Sequence, residues 1–207
     1  MKNLSPLHFD ASKCRDEWND FSYLLGSKAS LEEAKDILPF FKVHIQLSSL
    51  ISRYIAVFRQ CDVYAHEYEI YGDFTADLVI GDTSTKHYLL VEFENAAPDG
   101  IFKRKPGKST PVWAPRFEGA FSQIIDWMWK LDDMRSTGDY LYAFGDREVK
   151  FHGLIVVGMG MSLDASDANR LEWRNNKVIV NNNSILCVSY ERLRDDCDWW
   201  LKTYYGV

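Results

Sequence analysis

The chain has 207 residues, 46% of them hydrophobic and 14% aromatic, and carries a formal net charge of −6. That length suits one domain with a proper core, and the apolar content excludes a disordered chain. The negative balance weighs against indiscriminate binding of a phosphate backbone, although a local basic strip can bind while acids elsewhere set the total. The amino terminus, Met1-Lys-Asn-Leu-Ser-Pro, lacks the apolar core of a signal peptide, and no apolar run approaches a membrane span. A soluble, cytoplasmic protein without membrane association is expected. Cys14, Cys61, Cys187 and Cys197 form no C-x-x-C and read as reduced core thiols. His8, His44, His66, His87 and His152 show no metal-ligand spacing and read as structural or surface residues.

Taken in order, the residues predict a first helix over about Arg15 to Leu25, with Trp18, Phe21 and Leu25 on one face and Gly26 as a stop. Ser30 and Glu33 have capping-box spacing for a second helix, whose Leu31, Ala34, Ile37 and Leu38 precede Pro39. Leu47, Leu50, Ile51 and Tyr54 keep helical spacing. This helical opening, residues 1–58, is expected to be a small extension that packs or assembles, ahead of a core spanning 59–207. From Val63 to Tyr71 the pattern alternates as a strand, with Tyr64, His66, Tyr68 and Ile70 on one face. Glu67 and Glu69 fall on the other face, either solvated or within reach of a second metal.

The chain is organised around Tyr71 to Asp82 and His87 to Asn95, two apolar strands joined by a polar turn. Alternation places Glu92 and Glu94 on one face with Tyr88 and Leu90, and Leu89, Val91 and Phe93 on the other. A hairpin fixes register through its turn, so Asp77 on the partner strand can reach the same spot. Acids brought together repel unless a positive charge sits among them, and a hard divalent cation, magnesium or manganese, suits oxygen ligands. An isolated E-x-E is otherwise the solvated face of an edge strand. The apolar neighbours indicate a central strand and favour the cation reading. A structural calcium site lacks the D-x-D-x-D-G loop and ranks last.

After Asn95 the character changes. Lys103, Arg104, Lys105 and Lys108 crowd together, followed by Trp113 and Arg116, with Asp99 the only acid from Ala96 to Phe117. The segment reads either as an ordinary solvated loop or as a clamp for phosphates, with Trp113 offered to an unpaired base. Lys103 or Lys105 is a candidate for the positive charge beside the acids. Pro115 then suits a helix's first turn, and Phe117, Ala120, Phe121, Ile124, Met128 and Leu131 carry that helix to about Met134. Gln123, Trp127 and Lys130 make a neighbouring stripe, in which Gln123 alone reads as a boundary polar residue. A buried strand over Phe151 to Val157, a helix near Ala165 to Arg174, strands at Val178 to Val180 and Ile185 to Val188, and a last amphipathic helix complete the chain. Gly158-Met-Gly160 lacks the third glycine of a dinucleotide fingerprint, so no small-molecule cofactor is expected.

Asp77, then Glu92-Phe93-Glu94, then a helix carrying Gln123, resembles the PD-(D/E)xK nuclease pattern. The wording around it, Gly72-Asp-Phe, Ala76-Asp-Leu-Val-Ile-Gly-Asp82, Val91-Glu-Phe-Glu-Asn-Ala96 and Phe121-Ser-Gln-Ile-Ile-Asp-Trp127, is similar to the Shedu antiphage nucleases of bacteria. The family's usual motif has Lys where this chain has Glu94. The resemblance implies an α/β fold with a mixed sheet flanked by helices around a restriction-endonuclease-like core, and Mg²⁺- or Mn²⁺-dependent hydrolysis of DNA. Asp77 and Glu92 would hold the metal, Glu94 would bind metal or accept the water's proton, and Gln123 would orient that water. It further implies phage defence and self-assembly into a homo-oligomer. The competing expectation is a nuclease-like module that binds nucleic acid or a protein partner without cutting, consistent with Glu94 and with the negative charge.

Overall fold

The computed structural model describes residues 3–160 and 163–207. In chain order the strands are β1 (Ser5–Pro6), β2 (Val63–Ile70), β3 (Phe74–Asp82), β4 (His87–Phe93), β5 (Phe102–Lys103), β6 (Val112–Trp113), β7 (Lys150–Val156), β8 (Ile179–Val180) and β9 (Asn183–Val188). The short β5 and β6 pair with each other, and the rest form one sheet in the order β1-β2-β3-β4-β7-β9-β8. The first four sheet strands are antiparallel, β7 and β9 continue in parallel from β4, and β8 closes the edge antiparallel. The chain is therefore α/β with a mixed sheet flanked by helices, as expected.

The helices are α1 (Ala11–Ser27), α2 (Leu38–Val43), α3 (Ile45–Leu50), α4 (Pro115–Met134), α5 (Gly138–Phe144), α6 (Ala165–Lys177) and α7 (Tyr190–Trp200). Strand alternation divides the apolar side chains into two cores. Leu78, Ile80, Leu89, Val91 and Phe93 pack with α1, α2, α3 and α7, while Val79, Tyr88, Leu90 and Ile155 pack with α4, α5 and α6. Residues 3–58, expected as an extension, supply most of one layer: Phe41 of α2 stacks on Phe93 of β4 with ring centroids 4.3 Å apart.

Two expectations change at the site's edge. Ser30 and Glu33 do not form a capping box. Leu31 instead makes an antiparallel bridge with Ala96, Glu33 to Ile37 make a π-helical turn, and Pro39 lies in the first turn of α2, where its missing N–H is harmless. The alternation expected along β2 also breaks. Ala65, Tyr68 and Ile70 share the α4 layer, whereas Tyr64 packs against the opposite one. The break falls at Glu67, whose φ of 48° a side-chain-bearing residue seldom adopts, and at the facing position, Asp77. His66↔Leu78 and Tyr68↔Ala76 are paired while the rung between them is missing, so Asp77 sits where the sheet re-aims its side chains.

Close seating of α4 depends on Gly153 of β7. A Cβ there would stand 2.6 Å from Cγ2 of Ile124 and 3.3 Å from the side chain of Ile185. Replacing Gly153 with Ala is expected to push α4 off the sheet at a cost of about 1–3 kcal/mol. Thermal unfolding should register this as a fall of roughly 2–4 °C per kcal/mol for a chain of this size. An unchanged melting temperature would show that α4 is not seated so tightly.

Candidate active site

The last rung of the β3–β4 ladder is Leu78↔Val91, and the next positions outward are Asp77 and Glu92. The strands part here. Oδ2 of Asp77 accepts the Phe93 N–H at 2.8 Å, taking the place of a backbone carbonyl. The carboxyl groups of Asp77 and Glu92 lie within hydrogen-bonding reach of one another. Glu92 is buried, and its Oε1 accepts the side-chain N–H of Gln123 from α4 at 2.8 Å.

Glu94 lies one residue beyond Phe93, still held by its N–H to the Val156 carbonyl at 2.9 Å, while its own carbonyl accepts the buried Tyr190 hydroxyl at 2.6 Å. Its Oε2 receives Nη1 of Arg116, from the first turn of α4, at 2.9 Å. The same Nη1 stands 3.9 Å from Oε2 of Glu33. Glu33 is a member of the cluster that the sequence reading missed. Its amide donates to Oδ1 of Asn95 at 2.9 Å, and the Leu31–Ala96 bridge holds its segment against the end of β4. No local pattern distinguishes Glu33 from a helix-starting glutamate, because its partners are some 60 residues away and only the folded chain brings them together.

Burial raises the pKa of Asp77 above the ordinary carboxylate range despite the Phe93 N–H, with Glu33 and Glu94 adding to the rise. Burial raises Glu92 further, and the charges of Asp77, Glu94 and Glu33 push the same way. Glu33 is also raised, by burial and then by Glu94, with Arg116 opposing. Without a cation, the Asp77–Glu92 pair therefore retains a shared proton well above the pH at which free carboxyls lose theirs. Among the described residues no group of three or more His, Cys, Asp or Glu side chains is arranged to hold a metal ion. Two carboxylates fit magnesium or manganese nonetheless, because such ions commonly take one or two carboxylates and complete their shell with water and phosphate oxygens.

The basic segment folds differently from expectation. Lys103 ends β5, and Lys103, Lys105 and Lys108 are exposed with no ion pair among the described residues; Arg104 makes one long contact, 3.6 Å to Asp164. The guanidinium beside the acids is that of Arg116, so neither Lys103 nor Lys105 supplies that charge. Trp113 is not offered to a base. Its ring stacks on Phe102 at 4.3 Å and on Phe117 at 4.8 Å, with the guanidinium groups of Arg170 and Arg174 alongside. Two of the histidines, His87 and His152, lie near the opposite end of β4 and hydrogen-bond to each other at 2.8 Å. All four cysteines are buried free thiols.

A family model described as Shedu protein SduA, C-terminal, matches residues 30–193. The chain belongs to the Shedu family. The matched span takes in every acid of this Shedu site, from Glu33 to Glu94, together with Arg116, Gln123 and Tyr190. No curated protein matches the sequence. No described helix of the Shedu chain is long and apolar enough to cross a membrane.

The raised carboxyl pKa values give a signed prediction. The folded state holds protons that the unfolded chain releases near pH 4, so stability from Asp77 and Glu92 is complete below that value and is lost as pH rises through their raised values. In chelator, Glu92→Gln is expected to raise the melting temperature at pH 8 and to flatten the decline seen between pH 5 and pH 8. Adding magnesium should stabilise the parent and leave the variant unmoved, since only a folded-state site converts ligand into stability. Parallel pH profiles for parent and variant would count against the shared-proton pair.

Proposed function

We propose that this Shedu protein is a divalent-cation-dependent nuclease of the PD-(D/E)xK type, with a restriction-endonuclease-like core, cutting DNA in bacterial antiphage defence. The observation that carries the reading is the meeting of Asp77 and Glu92 at the parted end of β3 and β4, with Arg116 and Gln123 beside them. Family membership supports the defence role.

Asp77 and Glu92 would hold the magnesium or manganese ion. Bound there, such an ion polarises a phosphodiester and makes hydroxide available near neutral pH. Gln123 fixes the rotamer of Glu92, so its proposed part shifts from orienting water to orienting a metal-holding carboxylate. Water attacks phosphorus in line with the departing ester oxygen. Glu94 accepts the water's proton as the new O–P bond forms, and the ester P–O bond breaks with the departing alkoxide oxygen taking a proton from solvent. Arg116, anchored by Glu94 and half exposed, turns its remaining N–H groups to the charge that builds on the phosphoryl oxygens. Lys103, Arg104, Lys105 and Lys108, exposed in a chain otherwise rich in acids, track the flanking backbone.

One observation favours the alternative, a module that binds without cutting: Gln123 and Arg116 already occupy oxygens of Glu92 and Glu94, and among the described residues no three-ligand site stands ready. The two readings separate on a supercoiled plasmid incubated with magnesium or manganese. Nicking by the parent that disappears in Asp77→Ala and Glu92→Gln is the expected outcome; retention of plasmid without nicking by the parent selects the binding module. Arg116→Ala is expected to slow cleavage by about 10²-fold, with partial recovery in Arg116→Lys. Lys103→Ala should weaken binding at raised salt and leave the maximal rate within a few-fold. The reverse ranking of these two variants would remove Arg116 from its assigned place.

A further inference from the structure

A cavity of about 300 Å³ opens on the other side of the molecule, lined by Phe9, Ser49, Ser52, Arg53, Phe58, Arg59, Gln60 and Tyr205. It lies beside the loop that enters β2. That loop is fastened to the far end of β3, where Asp82 accepts the amide N–H groups of Arg59 at 2.7 Å and Gln60 at 3.2 Å. Asp82 stands five residues along the strand from Asp77, roughly 16 Å at the usual rise, so the cavity is separate from the acidic site.

Its composition is selective. Two arginines line it, and neither has a carboxylate partner among the described residues, although acids outnumber bases in this chain by 30 to 24. Arg53 is aimed by the Tyr205 hydroxyl at 2.5 Å and lies against the rings of Tyr204 and Tyr205. Arg59 is exposed, and its side chain contacts no described acid. The nearby acids are engaged elsewhere: Asp82 by those amides with Ser84 and Thr85, and Asp62 by Thr83. Phe9 packs on Tyr205 with centroids 4.8 Å apart and, with Phe58, gives the cavity aromatic walls. Paired guanidinium groups recognise phosphate, and aromatic walls accept a flat ring. The volume sits at the small end of ligand pockets, which suits a single small ligand better than a strand of nucleic acid.

We propose that this cavity is a binding site for a free mononucleotide, its phosphate on Arg53 and Arg59 and its base against Phe9, Phe58 and Tyr205. Unlike the acidic site, it needs no cation, and its occupancy is independent of whether the protein cuts DNA. Calorimetric titration of the full chain in chelator, with 5′-AMP and 5′-UMP, tests the assignment. One saturable site per chain is expected, with inorganic phosphate and the free nucleoside each binding at least tenfold more weakly. Arg59→Ala should reduce affinity tenfold or more without lowering the melting temperature, because that side chain supports no contact in the fold. Arg53→Met, which keeps the packed stem, should do the same to affinity. No saturable binding of either mononucleotide at millimolar concentration, or unchanged affinity in Arg59→Ala, overturns the proposal. Tighter binding of a 5′-phosphorylated oligonucleotide than of the mononucleotide overturns it too and reassigns the cavity to a strand end.

Discussion

The arrangement of this protein turns on acidic groups held together against their own repulsion. Were both carboxyls ionised, two like unit charges about 4 Å apart would repel by roughly 4 kcal/mol at an effective dielectric near 20, several times the net worth of one hydrogen bond. The Asp77–Glu92 pair relieves this by keeping a proton. Local preference would let the ends of β3 and β4 swing apart. They are kept together by rungs further down the hairpin, by the Phe93 N–H on Asp77, by the Tyr190 hydroxyl on the Glu94 carbonyl and by the Leu31–Ala96 bridge. The strain of holding carboxylates in a buried rim is therefore spread over three segments distant in sequence.

The α4 helix shows how few elements such a rim requires. Arg116 and Gln123 are seven residues apart, two turns of helix, and so lie on one face. One reaches Glu94 and the other Glu92, residues two apart at the end of β4 that are both turned towards the helix. A helix lying across the strand end thus serves both acids with a single rigid body. Its height above the sheet is set by a glycine in β7, which makes the spacing of the site a matter of core packing as much as of polar contacts.

Much of this was legible beforehand, for identifiable reasons. Strong periodicity made β3, β4 and α4 readable, and hairpin register alone was enough to bring Asp77 opposite Glu92. What escaped was long-range or depended on backbone conformations that no local pattern encodes. Glu33 looked like a capping residue because its spacing from Ser30 allowed it, yet Asn95 claims its amide. Tyr64 and Tyr68 seemed to share a face because alternation assumes regular φ, and the left-handed Glu67 reverses it. Trp113 looked available because sequence shows a ring's presence in a basic stretch and nothing of the Phe102 and Phe117 rings that close on it.

The unusual Glu94 becomes intelligible through charge. Compared with the lysine of the PD-(D/E)xK pattern that the sequence resembles, a carboxylate at position 94 differs by two units of charge, and Glu33 adds another acid to a rim that already holds Asp77 and Glu92. With an anion at that place on the strand, the rim draws its positive charge from elsewhere. Arg116 provides it from the neighbouring helix, close enough to pair with Glu94 and to feel Glu33. Because guanidinium offers five N–H donors and Glu94 engages only one nitrogen, the anchoring carboxylate orients the cation without exhausting it. With the positive group on the helix rather than on the strand, it still stands beside the Asp77–Glu92 pair, and Glu94 is the residue that fixes its position.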